Sequence, residues 1–445
     1  MLSRATGRGG GTTLPGRVLL RMAPDAIARL GSRLEGRATI VSATNGKTTT
    51  AGMIAAALRA TGRTPIHNRA GSNMTWGVAT ALLEQKGDEG LFEVDEAWLP
   101  RVAAQLEPRL VVLGNLFRDQ LDRYGELEHL ADEWAAMVAR FSGATDFALN
   151  ADDPLIADLG RDSELARRPG VTYFGIEDQS QAIPEFQHAF DAKHCRRCGT
   201  PYEYERAFVG HLGHYRCPSC GADRPAADVA ATRIELDGMS GSSIHVRAPH
   251  AEVQLRLPLP GLYNVYNALS ALTAALRLGL SLSEAARAVE SMRAVFGRVE
   301  TVPVQGKDLS MLLIKNPAGA NEVLRTLLLE AGSNGAPTLD LWVALNDRIA
   351  DGRDISWVWD ADFELLAGRV RRVTCAGTRA PELAVRLKYA GVAPEAIDVE
   401  PKIARSIDQA LDSADGRLFA LPTYTALLEL RTLLSKRGLA RDYWA

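Results

Sequence analysis

The segment ATNGKTTT limits the possible folds of this chain more than any other feature. It directly follows Ala38 to Ser42, a short apolar run with the pattern of a buried strand, and it leads into AGMIAAALRA, a small-residue segment that indicates a helix. A strand, a Gly-Lys-Thr loop and a helix in this order direct backbone N–H groups and a helix N-terminus at an anion. The segment therefore predicts a phosphate-binding loop in an α/β fold, with Lys47 as its cation.

The loop matches the Walker A pattern only in its second half, because Val41 stands where that pattern has its first glycine. The alternative is an ordinary helix N-cap beside an incidental lysine. The strand before the loop and the helix after it favour the phosphate site. The residues expected to bind the phosphates of ATP are Thr44, Asn45, Gly46, Lys47, Thr48 and Thr49.

A second polar cluster lies at the end of the next apolar strand, GLFEV. Glu93 is the fourth residue of this strand, and Asp95 and Glu96 follow it. Ligands of open parallel sheets bind at the carboxyl ends of the strands. Magnesium prefers oxygen ligands, so one carboxylate beside the Thr48 hydroxyl and the phosphates is sufficient. The cluster predicts a magnesium site formed by Thr48 with Glu93 or Glu96, and the alternative is a solvated acidic loop.

The charge balance of the 445 residues gives no general reason to expect an anionic partner, since 51 Lys and Arg face 54 Asp and Glu. Nucleic acid is therefore not expected as a partner. The most apolar stretch, Leu262 to Leu280, is interrupted by polar residues and is not a membrane span. The apolar piece Val18 to Leu20 is too short for a secretion signal, so a cytoplasmic protein is expected.

Four of the five cysteines have the spacing of a zinc ribbon, C-x2-C, eighteen residues, then C-x2-C. Four thiolates leave zinc no open coordination position, which indicates a structural role. Nucleic-acid binders also use such ribbons and arginines are near, but an insertion at about 190–228 that packs on the main domain or on a partner is favoured. The expected zinc ligands are Cys195, Cys198, Cys217 and Cys220.

No ligand or catalytic role is predicted for the histidines near this insertion or for the fifth cysteine. The nearby histidines His194, His211 and His214 are expected at the surface. Cys375 lies alone in an apolar strand and is expected in the core.

Strands alternate with helices on both sides of the insertion, which favours mostly parallel sheets covered by helices. Strands are predicted at 110–113 and 146–149, with a helix at 126–141 between them. The predicted organisation is an N-terminal segment at 1–37, an ATP-binding domain at 38–300 and a second α/β domain at 301–445.

An ordered set of segments resembles the Mur ligase family, whose members use ATP to join a carboxylate to an amine. The segments are ATNGKTTT, FEVDEA, NLFRDQLDRYGE, LNADDP, GLYNVYNALSA and FGRVE. The resemblance implies a central P-loop ATPase domain followed by a Rossmann-like C-terminal domain, with ATP and Mg²⁺ as cofactors. It also implies that Asn267 and Arg298 contact ATP.

Within this family the chain is most similar to the synthetase subunits of lipid II isoglutaminyl synthases. The shared features are the four-cysteine insertion, the segment NDRIADGRDISWVWD and the ending LPTYTALLELR. The resemblance implies that the α-carboxylate of D-glutamate in the lipid II stem peptide is activated as an acyl phosphate. Ammonia from a GatD-type glutaminase would then give D-isoglutamine, at the inner face of the plasma membrane and with only peripheral membrane contact.

The same resemblance implies that one aspartate of the NDRIADGRD segment completes the Cys-His pair of the glutaminase across the interface. An acidic group that orients an imidazole is the logic of a catalytic triad. The sequence favours Asp354 and leaves Asp351 as the alternative, because spacing does not separate them.

Several positions depart from the pattern of the family. Ala43 replaces a loop glycine, Gln120 replaces a metal-associated histidine, and Lys315 stands at a histidine position of the last domain. A carbamoylated lysine is also missing, since the chain has no lysine between Lys86 and Lys193.

Two other functions stay open. One is a free-standing Mur or folylpolyglutamate-type ligase that adds an amino acid. The other is a nucleotide-binding zinc-ribbon scaffold without catalysis, which the substitutions at Ala43 and Gln120 leave open. The phosphate loop begins near residue 43, which leaves no room for the precursor-binding first domain of ordinary Mur ligases. This lack and the missing lysine favour the amide-forming synthetase.

Overall fold

A computed structural model describes most of the chain. The described ranges are 13–68, 72–119, 127–141, 144–161, 170–184, 190–292, 299–331 and 338–440. Within them the strands are β1 (Ala38–Ser42), β2 (Ile66–His67), β3 (Gly90–Glu93), β4 (Leu110–Leu113), β5 (Asp146–Asn150), β6 (Val171–Ile176), β7 (Glu203–Val209), β8 (Leu212–Arg216), β9 (Val229–Leu236), β10 (Ser242–Ala248), β11 (Ala251–Leu257), β12 (Val299–Val304), β13 (Lys307–Leu312), β14 (Leu339–Ala344), β15 (Val370–Ala376), β16 (Ile397–Val399) and β17 (Arg417–Pro422).

The helices of the described ranges alternate with these strands. They are α1 (Leu14–Met22), α2 (Ala26–Gly31), α3 (Lys47–Ala60), α4 (Thr75–Glu84), α5 (Leu99–Leu106), α6 (Leu127–Arg140), α7 (Pro154–Ala157), α8 (Leu262–Arg277), α9 (Leu282–Glu290), α10 (Pro317–Glu330), α11 (Ala380–Tyr389), α12 (Ile403–Ser413) and α13 (Tyr424–Lys436). The alternation confirms the α/β class predicted from the sequence.

The first sheet has nine strands within the described ranges, in the order β11-β10-β9-β6-β5-β4-β1-β3-β2. Strand β1 lies in parallel between β3 and β4, with Val41 opposite Glu93 and Ser42 opposite Leu113. Because parallel strands end at the same edge, the loops after β1, β3 and β4 meet there. This register brings the Gly-Lys-Thr loop next to the acidic end of β3.

Among its described strands the sheet is mostly parallel, and β9, β10 and β11 pair antiparallel at one edge. Helices cover both of its faces, as expected for parallel strands that are buried on each side. Helices α3, α8 and α9 contribute to the core of one face. Helices α2, α4, α5 and α6 contribute to the core of the other. All five residues of β1 are buried, so the loop that follows it extends from the rigid centre of the domain.

The second sheet has the order β12-β13-β17-β14-β15-β16 among the described strands. Strand β12 is antiparallel to β13, and the remaining neighbours are parallel. Apolar cores lie on both faces of this sheet as well. Cys375 is fully buried in one of these cores, which confirms its predicted structural role.

One strand and one helix agree with their predicted positions, and one helix was not predicted. Strand β4 has the predicted bounds, and the helix expected at 126–141 is α6. Helix α1 was not predicted, because its neighbourhood is rich in glycine and arginine. It packs on α4, where the Gly16 N–H donates to Thr80 Oγ1 at 2.9 Å. Domain boundaries at 37 and 300 stay predictions.

The inserted segment forms an antiparallel hairpin, β7 paired with β8, between the two cysteine pairs. No helix in the ranges described above combines the length and the apolar character that crossing a membrane requires.

Candidate functional site

The loop after β1 is held by the side chain of Asn115, which follows β4. The Asn45 N–H donates to Asn115 Oδ1 at 2.9 Å, and Asn115 Nδ2 donates to the Asn45 carbonyl at 3.0 Å. The Thr44 N–H donates to the Asn115 carbonyl at 2.9 Å. These bonds fix the loop backbone before α3 begins at Lys47. The N–H groups at the start of α3 are therefore presented to an anion by a pre-formed loop.

Gly46 makes the turn from the loop into α3 with φ +92°, a left-handed conformation that favours glycine. A Cβ added there would lie 1.8 Å from Asn267 Oδ1 on α8. Asn267 is itself buried and donates to Asn264 Oδ1 at 3.0 Å. The predicted nucleotide residue Asn267 thus contacts the loop from a helix more than two hundred positions away.

We expect Gly46→Ala to weaken nucleotide binding at least about tenfold and to lower the free energy of unfolding by about 1–3 kcal/mol, because the new Cβ would be strained and would displace Asn267. Gly62→Ala is the matched control, since Gly62 has φ +81° but nothing within 4 Å of its added Cβ. Titration with ADP and thermal unfolding measure the two effects. Equal ADP affinity in both variants would contradict the role of this contact.

Lys47 is buried and forms an ion pair with Glu96, with 2.6 Å between Nζ and Oε2. Burial by itself would lower the pKa of Lys47, but the charges of Glu96 and Asp95 outweigh it and the pKa lies above its ordinary value. Burial would raise the pKa of Glu96, and Lys47 overcomes this effect and lowers it. The pair is therefore ionised, and Lys47 keeps its positive charge at the loop.

Thr48 Oγ1 donates to Glu93 Oε1 at 3.0 Å, at the first turn of α3. A hydroxyl and a carboxylate oxygen are the hard donors that magnesium prefers. Glu96 instead pairs with Lys47. Of the two carboxylates that the sequence offered for magnesium, the geometry favours Glu93.

A cleft separates the first domain from the second, and the loop lies on its floor. It has about 900 Å³ of space, including the part open to solvent, and it is lined by Asn45, Gly46, Phe117, Tyr263, Asn267 and Lys315. Its size and mixed lining suit a nucleotide.

Two residues of the second domain reach the loop across this cleft. Lys315 Nζ donates to the Thr44 carbonyl at 3.1 Å and forms an ion pair with Asp119. The side-chain amides of Asn316 and Asn45 bond each other, with Asn316 Nδ2 3.1 Å from Asn45 Oδ1. The lysine at the family's histidine position thus adds a second cation at the phosphate loop.

The two aspartates that spacing could not separate occupy different environments. Asp351 is buried, and it accepts hydrogen bonds from the Thr425 N–H at 2.7 Å and from Thr425 Oγ1 at 2.5 Å. Burial raises the pKa of Asp351 against the effect of these bonds. Asp354 is exposed, and the hydrogen bond from the Ser356 N–H lowers its pKa. Of these two aspartates, Asp354 is the one that presents an ionised carboxylate at the surface.

Large apolar side chains are exposed in the same part of the second domain. Ile349 is 71% exposed, Trp359 51% and Tyr389 74%. The rings of Trp359 and Tyr389 are 6.1 Å apart, and the buried Arg386 lies under Trp359 at 5.3 Å. The exposed Trp359–Tyr389 ring pair is typical of a protein–protein contact, and Ile349 adds a further exposed apolar side chain in this domain.

The four cysteines of the insertion come together as the spacing predicted. Their sulfur atoms all lie within 4.8 Å of one another. Zn–S bonds of about 2.3 Å at tetrahedral angles put sulfur atoms about 3.8 Å apart, so the cluster fits zinc with little adjustment. The burial of the ligands alternates, with Cys195 and Cys217 buried and Cys198 and Cys220 exposed.

The expectation that His211 lies at the surface is wrong. It is fully buried at the tip of the hairpin, with its ring 4.7 Å from that of Phe117 and Nε2 3.5 Å from Asp153 Oδ2. His214 is half-buried, and its Nε2 is 2.9 Å from the Ile176 carbonyl oxygen. A hairpin tip is usually solvated, so nothing in the sequence marked it as part of the core.

Sequence reasoning also missed residues that shape the site. The sequence analysis assigned no role to Asn115 or to Asn316, although Asn316 is next to Lys315. An asparagine two positions after the end of the buried strand β4 was the available signal for Asn115. Two residues singled out from the sequence, Gln120 and Arg298, lie outside the described residues.

Family models match two parts of the chain. Residues 41–215 match the Mur ligase middle domain, and residues 313–427 match the MurT ligase C-terminal domain. Among solved structures, a pseudomurein peptide ligase type C from Methanothermus fervidus superposes with a TM-score of 0.70 at 22% identity, covering 92% of this chain and 80% of that one. The fold and the phosphate loop place the protein in the class of Mur-type ATP-dependent ligases.

Two curated relatives make the assignment more specific. The MurT subunit of the glutamine-hydrolysing lipid II isoglutaminyl synthase of Streptococcus pneumoniae is 32% identical, over 97% of this chain and 94% of the relative. The corresponding subunit of Staphylococcus aureus is 31% identical, over 98% and 95%. The chain belongs to the MurT family.

Proposed function

We propose that this chain is the synthetase subunit of a lipid II isoglutaminyl synthase and acts in peptidoglycan synthesis. It would use ATP to convert the α-carboxylate of D-glutamate in the lipid II stem peptide into a carboxamide. The observation that carries the proposal is the phosphate loop of a MurT-family chain. Its residues Asn45, Gly46 and Thr49 line a cleft of nucleotide size, and the ionised Lys47 and the Thr48–Glu93 pair lie in the same loop and first turn of α3.

The first step is phosphoryl transfer to the substrate carboxylate. The loop N–H groups, Asn45 to Thr49, and Lys47 bind the β- and γ-phosphates. Thr48 and Glu93 would hold Mg²⁺, which neutralises phosphate charge when bound. A carboxylate oxygen attacks the γ-phosphorus, the bond to the β-phosphate oxygen breaks, and ADP leaves. The product is an acyl phosphate.

The second step forms the amide. Ammonia attacks the acyl carbon, the C–O bond to the phosphate breaks, and inorganic phosphate leaves as the nitrogen loses a proton. Lys315 and Lys47 both lie at the loop, where their charges offset the negative charge that builds on the phosphate. Positioning and charge stabilisation account for most of the rate in such transfers.

Ammonia would come from a separate glutaminase subunit of the GatD type that docks on the second domain. The exposed side chains Ile349, Trp359 and Tyr389 offer apolar contacts on the second domain, and the ionised Asp354 lies between Ile349 and Trp359 in the sequence. Asp354 would orient the histidine of the glutaminase, which in turn activates its cysteine. The lipid-linked substrate places the complex at the inner face of the plasma membrane, with peripheral contact only.

The test is an assay of the purified chain with its glutaminase, lipid II, Mg²⁺ and ATP. Glutamine should support ADP release and the change of one carboxylate to a carboxamide, detected by mass spectrometry. Ammonium salts should replace glutamine when the glutaminase is left out. Incorporation of an amino acid would instead identify a free-standing ligase, and binding of ADP without turnover would identify a scaffold.

A further inference from the structure

The hairpin between the cysteine pairs connects the sulfur cluster with the cleft. Strand β7 begins five residues after Cys198, and β8 ends at Arg216, directly before Cys217. The four sulfur atoms therefore lie at the open end of the hairpin, where a metal ion bound by all four would hold both strands together. At about 3.3 Å per residue, the five residues of β8 span roughly 17 Å from the cluster to the tip.

The tip of the hairpin is the part that reaches the cleft. Phe208, Val209, His211 and Leu212 are each at most 3% exposed. Val209 and Leu212 belong to the apolar core that includes α3 and α8, and both line the cleft together with Gly46 and Asn267. Two aliphatic residues of the insertion thus form part of the wall around the phosphate loop.

The tip is also bonded to both domains. The Gly213 N–H donates to the Asp152 carbonyl at 2.8 Å, in the first domain. Arg325 on α10 of the second domain donates from Nη1 to the Phe208 carbonyl at 2.7 Å. A change in the position of the hairpin therefore reaches the wall of the cleft and the contact between the domains.

A two-stranded hairpin is only marginally stable in water by itself, so its ends must be held. The tip is held by packing, and at the other end a metal ion bound by all four sulfur atoms would tie the two cysteine pairs together. We propose that metal binding at the four-cysteine cluster sets the nucleotide affinity of the cleft, because it holds the hairpin whose tip residues Val209 and Leu212 form the wall.

The inference rests on the proposed function in one respect, the binding of nucleotide in the cleft. The experiment therefore starts from the untreated full chain with its metal content measured, and titrates it with ADP in excess Mg²⁺. If the untreated protein does not bind ADP, the proposed function fails. If it binds ADP and the affinity is independent of the metal, only the present inference fails.

Zinc is then removed with TPEN, which leaves the magnesium in solution. We expect the dissociation constant for ADP to rise at least about tenfold, about 1.4 kcal/mol, and to recover when zinc is added back. Amide hydrogen exchange should increase at 203–216. Cys198→Ser should reproduce the loss of affinity, and Cys375→Ala, which changes a cysteine outside the cluster, should not. An unchanged dissociation constant after loss of zinc would overturn the proposal.

A second variant tests the contribution of the hairpin tip to ADP affinity without removing the metal. It decides between the outcomes if removal of zinc unfolds the chain. Leu212→Ala should keep the measured zinc content, yet weaken ADP binding by a similar factor. Because Leu212 is buried in the core, the titration is done well below the melting temperature of the variant. Glu205→Ala, at an exposed position of the same hairpin, is the control and should bind ADP normally. Normal ADP affinity in Leu212→Ala would refute the proposal.

Discussion

Lys47→Ala is expected to lower the rate of ATP-dependent amidation at least about a hundredfold, the effect of removing a pre-organised charge from a transition state. The loss should appear with ammonia as well as with glutamine, because Lys47 acts on the phosphoryl group and not on the nitrogen source. ADP release in the presence of lipid II measures it. Lys86→Ala, at an exposed lysine, is the control and should be fully active.

The same substitution leaves the buried carboxylate of Glu96 without its ion-pair partner Lys47. Breaking a buried ion pair lowers the free energy of unfolding by about 3–5 kcal/mol. A loss of activity in Lys47→Ala could then reflect unfolding. The double variant Lys47→Met with Glu96→Gln removes the stranded charge and should regain thermal stability while it stays inactive. Activity in this folded double variant would contradict the role of Lys47.

Asp354→Asn is expected to lower glutamine-dependent amidation by about 10³–10⁴-fold, as removal of the acidic member of a triad does. Amidation driven by ammonium salts should continue at the normal rate, because the ATP site lies in the cleft and not at this surface. Glutamate release by the complex and amidation with each nitrogen source are the two measurements.

Asp351→Asn is the matched comparison. It would place an amide nitrogen opposite a donor of Thr425, which costs about 1–3 kcal/mol for a buried polar group, and a lower melting temperature is expected. Both nitrogen sources should support amidation by this variant at permissive temperature. If Asp351→Asn selectively loses glutamine-dependent activity and Asp354→Asn does not, the assignment is reversed.

Much of the site could be predicted because its residues are neighbours in the chain. The loop around Lys47, the carboxylates after β3 and the cysteine pairs each occupy a few consecutive positions, and their spacing is set by local backbone geometry. The cluster of four sulfur atoms confirms the zinc-ribbon spacing. The individual roles of the ATP, magnesium and catalytic residues stay predictions that the variants above test.

Other features depended on contacts that no spacing encodes. Lys315 and Asn316 meet the loop across 271 positions, and the buried hairpin tip with His211 has the sequence of an ordinary turn. The choice between Asp351 and Asp354 followed from burial, which differs although the two residues are three positions apart in one loop.

The sequence by itself determined the α/β class, the loop at the end of β1 and the four cysteines that come together in the sulfur cluster. Each of these follows from interactions within a short segment, where consecutive residues share one strand, turn or helix end. Tertiary structure alone decided which carboxylate lies beside Thr48, which aspartate faces solvent, and that the inserted hairpin forms a wall of the cleft. These outcomes depend on how separate elements pack, and packing responds to the shape of the whole core and not to spacing along the chain.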